Sequence, residues 1–242
     1  MADEAVPTHK GAIQTEPTQS SRSAYTALAA GDGFRHEIEI KRSRFITVLR
    51  RAGTEENARA LVSELRREFH DARHHCSAFV LGPDRDIQRS SDDGEPSGTA
   101  GIPMLEALLR RETAPGVTDL SDVSTVVVRY FGGILLGAGG LVRAYSESVS
   151  TALELAPLVQ RRRLRICAVR VPHAAAGRLE NDLRSAGYAM AETGYEAQST
   201  VLRIALPDAP GDLAAAADRL AALTAGSAGL QREDTEWIDV PH

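Results

Sequence analysis

The chain has only two cysteines in 242 residues, Cys76 and Cys167. They lie far apart and match neither a zinc-ligand spacing nor a disulfide framework, which fits a reducing compartment. Long apolar runs are also missing. The longest, around Ile134 to Val142, is broken by Gly137, Gly139 and Gly140, well short of the ~20 apolar residues that cross a bilayer. Met1 to Ser23 mixes Asp, Glu, Pro, Thr, Gln and Ser with no apolar core for a signal peptide. The expectation is a soluble cytoplasmic protein with no membrane contact. Basic charge is not in excess either: 28 Lys and Arg face 33 Asp and Glu, a formal net charge of -5. Binding to a nucleic acid would therefore depend on a local basic patch.

What remains is an ordinary globular composition, 43% apolar and 25% charged, with length for two modest domains. Residues 1–33 carry little apolar content and end on the turn Gly31-Asp32-Gly33, so a disordered tail is expected. Phe34 to Leu49 reads as two short strands, or one bent strand, around Lys41-Arg42-Ser43-Arg44. Thr54 is a good N-cap for a helix that puts Ala58, Leu61, Val62, Leu65 and Phe69 on one face. A strand at about His75 to Leu81 precedes a loop from Asp84 to Gly101, and Pro103 suits the first turn of a second helix. Ser124 to Tyr130 is a β-branched, buried strand. A glycine-rich turn leads from it into a helix ended by Pro157.

Arg161-Arg162-Arg163 marks a composition break. Beyond it the pattern reads strand 164–171, helix 173–185, strand 188–196, strand 199–206, helix 208–224 and strand 230–237. That is βαββαβ, the ferredoxin-like order. The class is α+β, with one domain over 34–158 and a second over 159–242.

Polar chemistry concentrates between Ser90 and Gly101. Asp92, Asp93 and Glu95 fall within four positions and repel one another unless solvent, a cation or hydrogen-bond donors intervene. Two readings stand: a solvated turn, or a functional loop in which these carboxylates hold a Mg²⁺ ion or receive protons. No other cofactor is suggested. In His74-His75-Cys76, strand alternation sends His74 and Cys76 to one face and His75 to the other, so the three cannot share a metal. Cys76 is either a nucleophile with His74 as its base or a buried thiol beside a structural histidine. Arg129 to Gly140 is strand, glycine turn and helix. It lacks the P-loop ending. The glycines either allow close packing or free helix N–H groups for an anion, with Arg129 and Arg143 as charge partners. Lys41, Arg42 and Arg44 form one basic spot, and Arg161, Arg162, Arg163 and Arg165 a second. The C-terminal strands lack the aromatic pair of an RRM surface.

Four blocks in order carry a resemblance: Lys41 to Ile46, Asp71 to Cys76, Asp92 to Gly101 and Val127 to Gly137. Together they resemble the IMPACT family, in its bacterial YigZ branch, from Phe34 to about Leu158. The resemblance implies a first domain like a small-subunit ribosomal protein and domain IV of elongation factor G, and a second like domain V of that factor. Eukaryotic relatives act in translational control. Arg44, His74, Asp92, Asp93, Glu95, Arg129, Gly132, Gly133 and Gly137 occupy the family's motif positions; Ser77 stands where relatives often have an aromatic residue. The expected role is a non-enzymatic regulator that binds RNA or the ribosome through Arg44, His74, Asp93, Glu95, Thr99, Arg129, Gly132, Gly133, Gly137 and Arg143. Two alternatives remain open. One is a hydrolase-type enzyme using His74 with Asp92, Asp93 and Glu95 in a cleft. The other is an adaptor that docks a protein partner on its second sheet.

Overall fold

The computed structural model describes residues 22–240. It is a mixed α/β architecture with two antiparallel sheets and five helices. The first sheet has strand order β2 (Phe34–Ile40), β3 (Ser43–Arg51), β6 (Val123–Tyr130), β4 (His74–Leu81), β5 (Ile87–Ser91). Strand β6 is central and covered on both sides, which is why it reads as an unbroken β-branched run. Val126 and Val128 pack with Ile46, Val48 and the Leu61 and Leu65 side chains of α1 (Glu55–Glu68). On the opposite face Val127 packs with Phe45, Leu49 and Cys76 beneath α2 (Gly101–Arg110) and α3 (Ala138–Leu155). The Thr54 side chain accepts from the Asn57 N–H and caps α1. Lys41 and Arg42, with φ of 49° and 64°, make the two-residue turn between β2 and β3, which pairs Ile40 with Ser43.

The second sheet is built on the 14-residue β7 (Leu158–Val171). It is flanked by β11 (Leu230–Val240) on one edge and β10 (Thr200–Leu206) on the other. The short strands β8 (Ala189–Met190) and β9 (Gly194–Tyr195) both pair with β10. Leucines of α4 (His173–Ser185) and α5 (Pro210–Thr224) close one core with Cys167, Val169, Leu202 and Ile204.

Three expectations need correcting. Of the disordered tail expected over 1–33, residues 1–21 lie outside the described residues, but Ala24–Leu28 form strand β1, antiparallel to Leu158–Arg162. Its Tyr25 is buried, donates to the Asp122 carboxylate and meets the Trp237 ring edge-on at 4.8 Å. The strand placed at 188–196 is interrupted into β8 and β9. The strand expected from 164 begins earlier: β7 starts at Leu158, so Arg161-Arg162-Arg163 lies inside it. Arg161 there binds the Tyr25 hydroxyl, Asp122 and the Trp237 carbonyl, and Arg165 binds Asp208 and the Glu233 carbonyl. For these two arginines of the second basic spot, charge is spent on internal contacts. With the Arg51–Asp239 pair, Arg161 ties the two sheets together.

Candidate functional site

Strand register places the site. Arg129 of β6 stands opposite Phe45 on β3 and opposite His74 on β4, so the three share the face beneath α3. The glycine turn supplies the rim. Gly132 passes so close to the Arg42–Ser43 backbone that a Cβ there would lie 2.0 Å from it, so only glycine fits. Its N–H donates to Ser43 Oγ. Gly133 and Gly137 take φ of 85° and 70°, and Gly137 begins α3 without a side-chain cap. His74, Glu95, Arg129 and Gly137 line one cavity of ≈ 350 Å³, walled mainly by Phe131, Leu135, Leu136, Leu141 and Pro96.

The acidic loop is turned inward. Asp92 accepts from the N–H groups of Gly98, Ala100 and Gly101 and so caps α2 from a distance. Burial opposes its charge, yet these three donors together hold its carboxyl below the usual range. Asp93 accepts from the His75 N–H at 2.6 Å and pairs with Arg66. Glu95 Oε1 takes Arg129 Nη1 at 2.6 Å and the Tyr145 hydroxyl at 2.8 Å. The three carboxylates thus serve three separate sets of donors. Among the described residues no group of three or more His, Cys, Asp or Glu side chains is placed to hold a metal ion. Thr99 closes the loop by donating to the Pro96 carbonyl.

Several expected roles change as a result. Arg129 is only 6% exposed and sits in a buried ion pair, between the rings of Phe45 at 5.5 Å and Phe131 at 5.8 Å. It is therefore no outward-facing phosphate ligand. Arg44 is held by Glu37 in a two-bond fork and lies over the Tyr130 ring. Arg143 lies on a separate groove with Ile102, Pro103 and Val142. Cys76 is fully buried, donates to the Asp92 carbonyl and contacts the Tyr145 hydroxyl. Burial pushes its thiol up to about 12, against the needs of a nucleophile. His74 Nδ1 meets the Asp93 carbonyl at 2.9 Å. A carbonyl only accepts, so Nδ1 is the donor in this bond.

Sequence reasoning missed Tyr145, Ser43, Phe131 and Arg73. A tyrosine on the buried face of a helix carries a signal, because its hydroxyl must find a partner. Here Tyr145 joins Cys76 to Glu95. Phe131 is 53% exposed at the cavity rim, a large ring left in solvent. Lys41, Arg42 and Arg73 are exposed and form no ion pair among the described residues.

Comparison with known proteins agrees with the motif blocks. Residues 41–153 match the Impact N-terminal domain family. The chain is 44% identical over 173 residues to the IMPACT family member YvyE of Bacillus subtilis (strain 168), covering 72% of this chain and 75% of that protein. It is 51% identical over 117 residues to the IMPACT family member YigZ of Escherichia coli (strain K12), covering 48% of this chain and 54% of that protein. A solved structure titled only as that of a hypothetical protein aligns at 37% identity and a TM-score of 0.55, over 87% of this chain and 97% of the other. With the Impact domain match over 41–153 and long, well-matched relatives, this chain belongs to the IMPACT family.

Proposed function

We propose that this chain is a non-enzymatic, translation-associated protein that binds single-stranded RNA, on the ribosome or free, at the face around Phe131. The observation that carries the reading is an exposed aromatic ring set among unpaired cations. Phe131 shares its cavity with Arg73, and its neighbour Gly132 packs against the Lys41-Arg42 turn. A ring for stacking beside cations for the backbone is the general recipe for single-strand binding, each stacked base contributing about 1–3 kcal/mol. The pairing of Asp93 with Arg66 and of Glu95 with Arg129 lessens the repulsion that an acidic loop would offer to phosphate. The ferredoxin-like strand order of the second sheet is compatible with this reading as a fold-level analogy.

Of the other two readings, the hydrolase keeps His74 and Glu95 in one cavity, but there Glu95 Oε1 is already engaged by Arg129 and the Tyr145 hydroxyl. The adaptor reading draws less support, since Tyr195 is the one large hydrophobic side chain of the second unit that stands exposed among the described residues. The test is co-sedimentation with ribosomes and subunits, and anisotropy with labelled single-stranded RNA, across a salt titration. Each phosphate neutralised on a single strand contributes about −0.7 to the slope of log K against log salt. Arg42→Ala with Arg73→Ala should weaken binding and flatten that slope, while Arg143→Ala should not. No binding at any salt would sink the reading.

A further inference from the structure

We infer that the cavity beside Phe131 receives one unpaired guanine base of the RNA strand, read by Glu95 and Arg129; this rests on the RNA reading above. The argument starts from polar groups left unused in an apolar hollow. Glu95 Oε1 accepts two hydrogen bonds, whereas Oε2 takes none. Arg129 Nε is buried without a partner, and Nη2 has only a long contact of 3.5 Å to Ser43 Oγ. Native proteins leave few buried donors like Arg129 Nε without a partner, because each costs free energy. A donor and an acceptor left idle on two paired residues that line one cavity point to a ligand that completes them.

The chemistry of these groups narrows the ligand. A carboxylate oxygen only accepts, so the ligand must bring donors, and Oε2 has room for two. A guanidinium nitrogen only donates, so the ligand must also bring an acceptor. The walls are apolar, with an aromatic ring at the rim, so the body should be flat and able to stack. Guanine meets all three demands on one edge, with its 2-amino group and N1–H as neighbouring donors and O6 as the acceptor beside them. Adenine offers one donor next to an acceptor, cytosine one donor next to two acceptors, and uracil one donor between two acceptors. The cavity of ≈ 350 Å³ lies at the small end of ligand sites, suited to a base with its sugar. Arg73 stands at the cavity wall and Lys41 and Arg42 lie outside it, where the phosphates of flanking nucleotides would run, and this favours a strand over a free nucleotide.

The experiment is fluorescence anisotropy of the full chain with labelled oligouridine octamers carrying one central guanosine, adenosine or inosine. The guanosine octamer should bind about tenfold tighter than the adenosine one, as for a base edge read by paired hydrogen bonds. Inosine keeps N1–H and O6 but lacks the 2-amino donor, so its octamer should fall between the two. This arm alters the ligand alone and is independent of whether a Glu95→Gln variant folds. Where it folds, that variant should lose the guanosine preference. Free guanosine 5′-monophosphate should compete only at far higher concentration than the octamer; competition at equal concentration would overturn the strand as the source. Equal binding of guanosine and adenosine octamers would overturn the guanine slot and leave RNA binding intact. Binding to no octamer and to no ribosomal particle would instead remove the RNA reading itself.

Discussion

Replacing Arg129 by alanine should cost far more stability than replacing any solvent-facing arginine. The Arg129 and Glu95 side chains are 7% and 4% exposed and meet at 2.6 Å. Truncation leaves the Glu95 carboxylate buried with one remaining donor, the Tyr145 hydroxyl. Breaking a buried pair from one side costs about 3–5 kcal/mol, because the partner's charge is left uncompensated. The contacts of the guanidinium with Phe45 and Phe131 would add up to about 1–2 kcal/mol, not in simple sum. Set against a total stability of about 5–15 kcal/mol, the loss should show in urea unfolding followed by circular dichroism, as a lower midpoint with an unchanged slope. Combining Arg129→Met with Glu95→Gln should restore much of it, since a buried pair replaced by neutral groups of similar volume is often tolerated. A loss below about 1 kcal/mol in Arg129→Ala, within reach of an ordinary exposed pair, would refute the buried pair. So would a double variant no better than the single one. Weaker RNA binding by Arg129→Ala would consequently report a damaged fold and not a lost phosphate contact, which is why Arg42 and Arg73 are the better probes.

Three further outcomes follow from the same geometry. The Asp92 carboxyl is held low in the folded chain, so its contribution is present above its unfolded value of about 3.9 and is lost as pH falls through the folded value. Asp92→Asn should cost about 1–3 kcal/mol near neutrality and show a shallower loss of stability below pH 4 than the parent, read from urea midpoints between pH 2 and 7. Cys76 and Cys167 are buried and both thiols are raised, Cys76 to about 12. A disulfide reagent at pH 8 should therefore label neither until urea unfolds the chain, and fast labelling of native Cys76 would contradict its placement. Gly132→Ala puts a Cβ 2.0 Å from the Arg42 backbone and should destabilise by about 1–3 kcal/mol or more. Gly139→Ala meets nothing within 4 Å in the first turn of α3 and should be neutral or stabilising by up to about 1 kcal/mol, compared by thermal melting.

Local signals carried much of the fold. Thr54 with apolar residues at helical spacing places α1, and the run from Val123 to Tyr130 places a strand buried on both faces. The same holds for α4, whose limits at His173 and Ser185 follow from Pro172 before it and Gly187 after it. Strand β1 escaped because Ala24 to Leu28 is short and its partner, Leu158 to Arg162, lies beyond the whole first sheet. The arginines at 161 and 165 looked like an exposed basic spot because their partners Asp122, Asp239 and Asp208 are remote in sequence. The site shows the same division. The family resemblance pointed to His74, Glu95, Arg129 and Gly137 among its motif positions, and these four line one cavity. Which carboxylate turns inward was not legible, since it depends on β4–β6 register and on the Tyr145 hydroxyl arriving from α3.

Net charge is a poor guide to this face, and the pairing pattern explains why. At physiological salt, exposed charges are screened beyond about 8 Å, so the acidic surplus elsewhere on the chain bears little on a phosphate held at the Lys41-Arg42 turn. What counts is which nearby charges are already matched. Asp92, Asp93 and Glu95 are occupied by backbone donors, Arg66 and Arg129, and Asp71 accepts from the Tyr130 hydroxyl. Arg44 is matched by Glu37. Subtracting these pairs leaves Lys41, Arg42 and Arg73 as the unmatched cations around Phe131. A run of three carboxylates in four residues therefore coexists with a locally positive rim, because folding spends the negative charge inside the loop and leaves part of the positive charge outside.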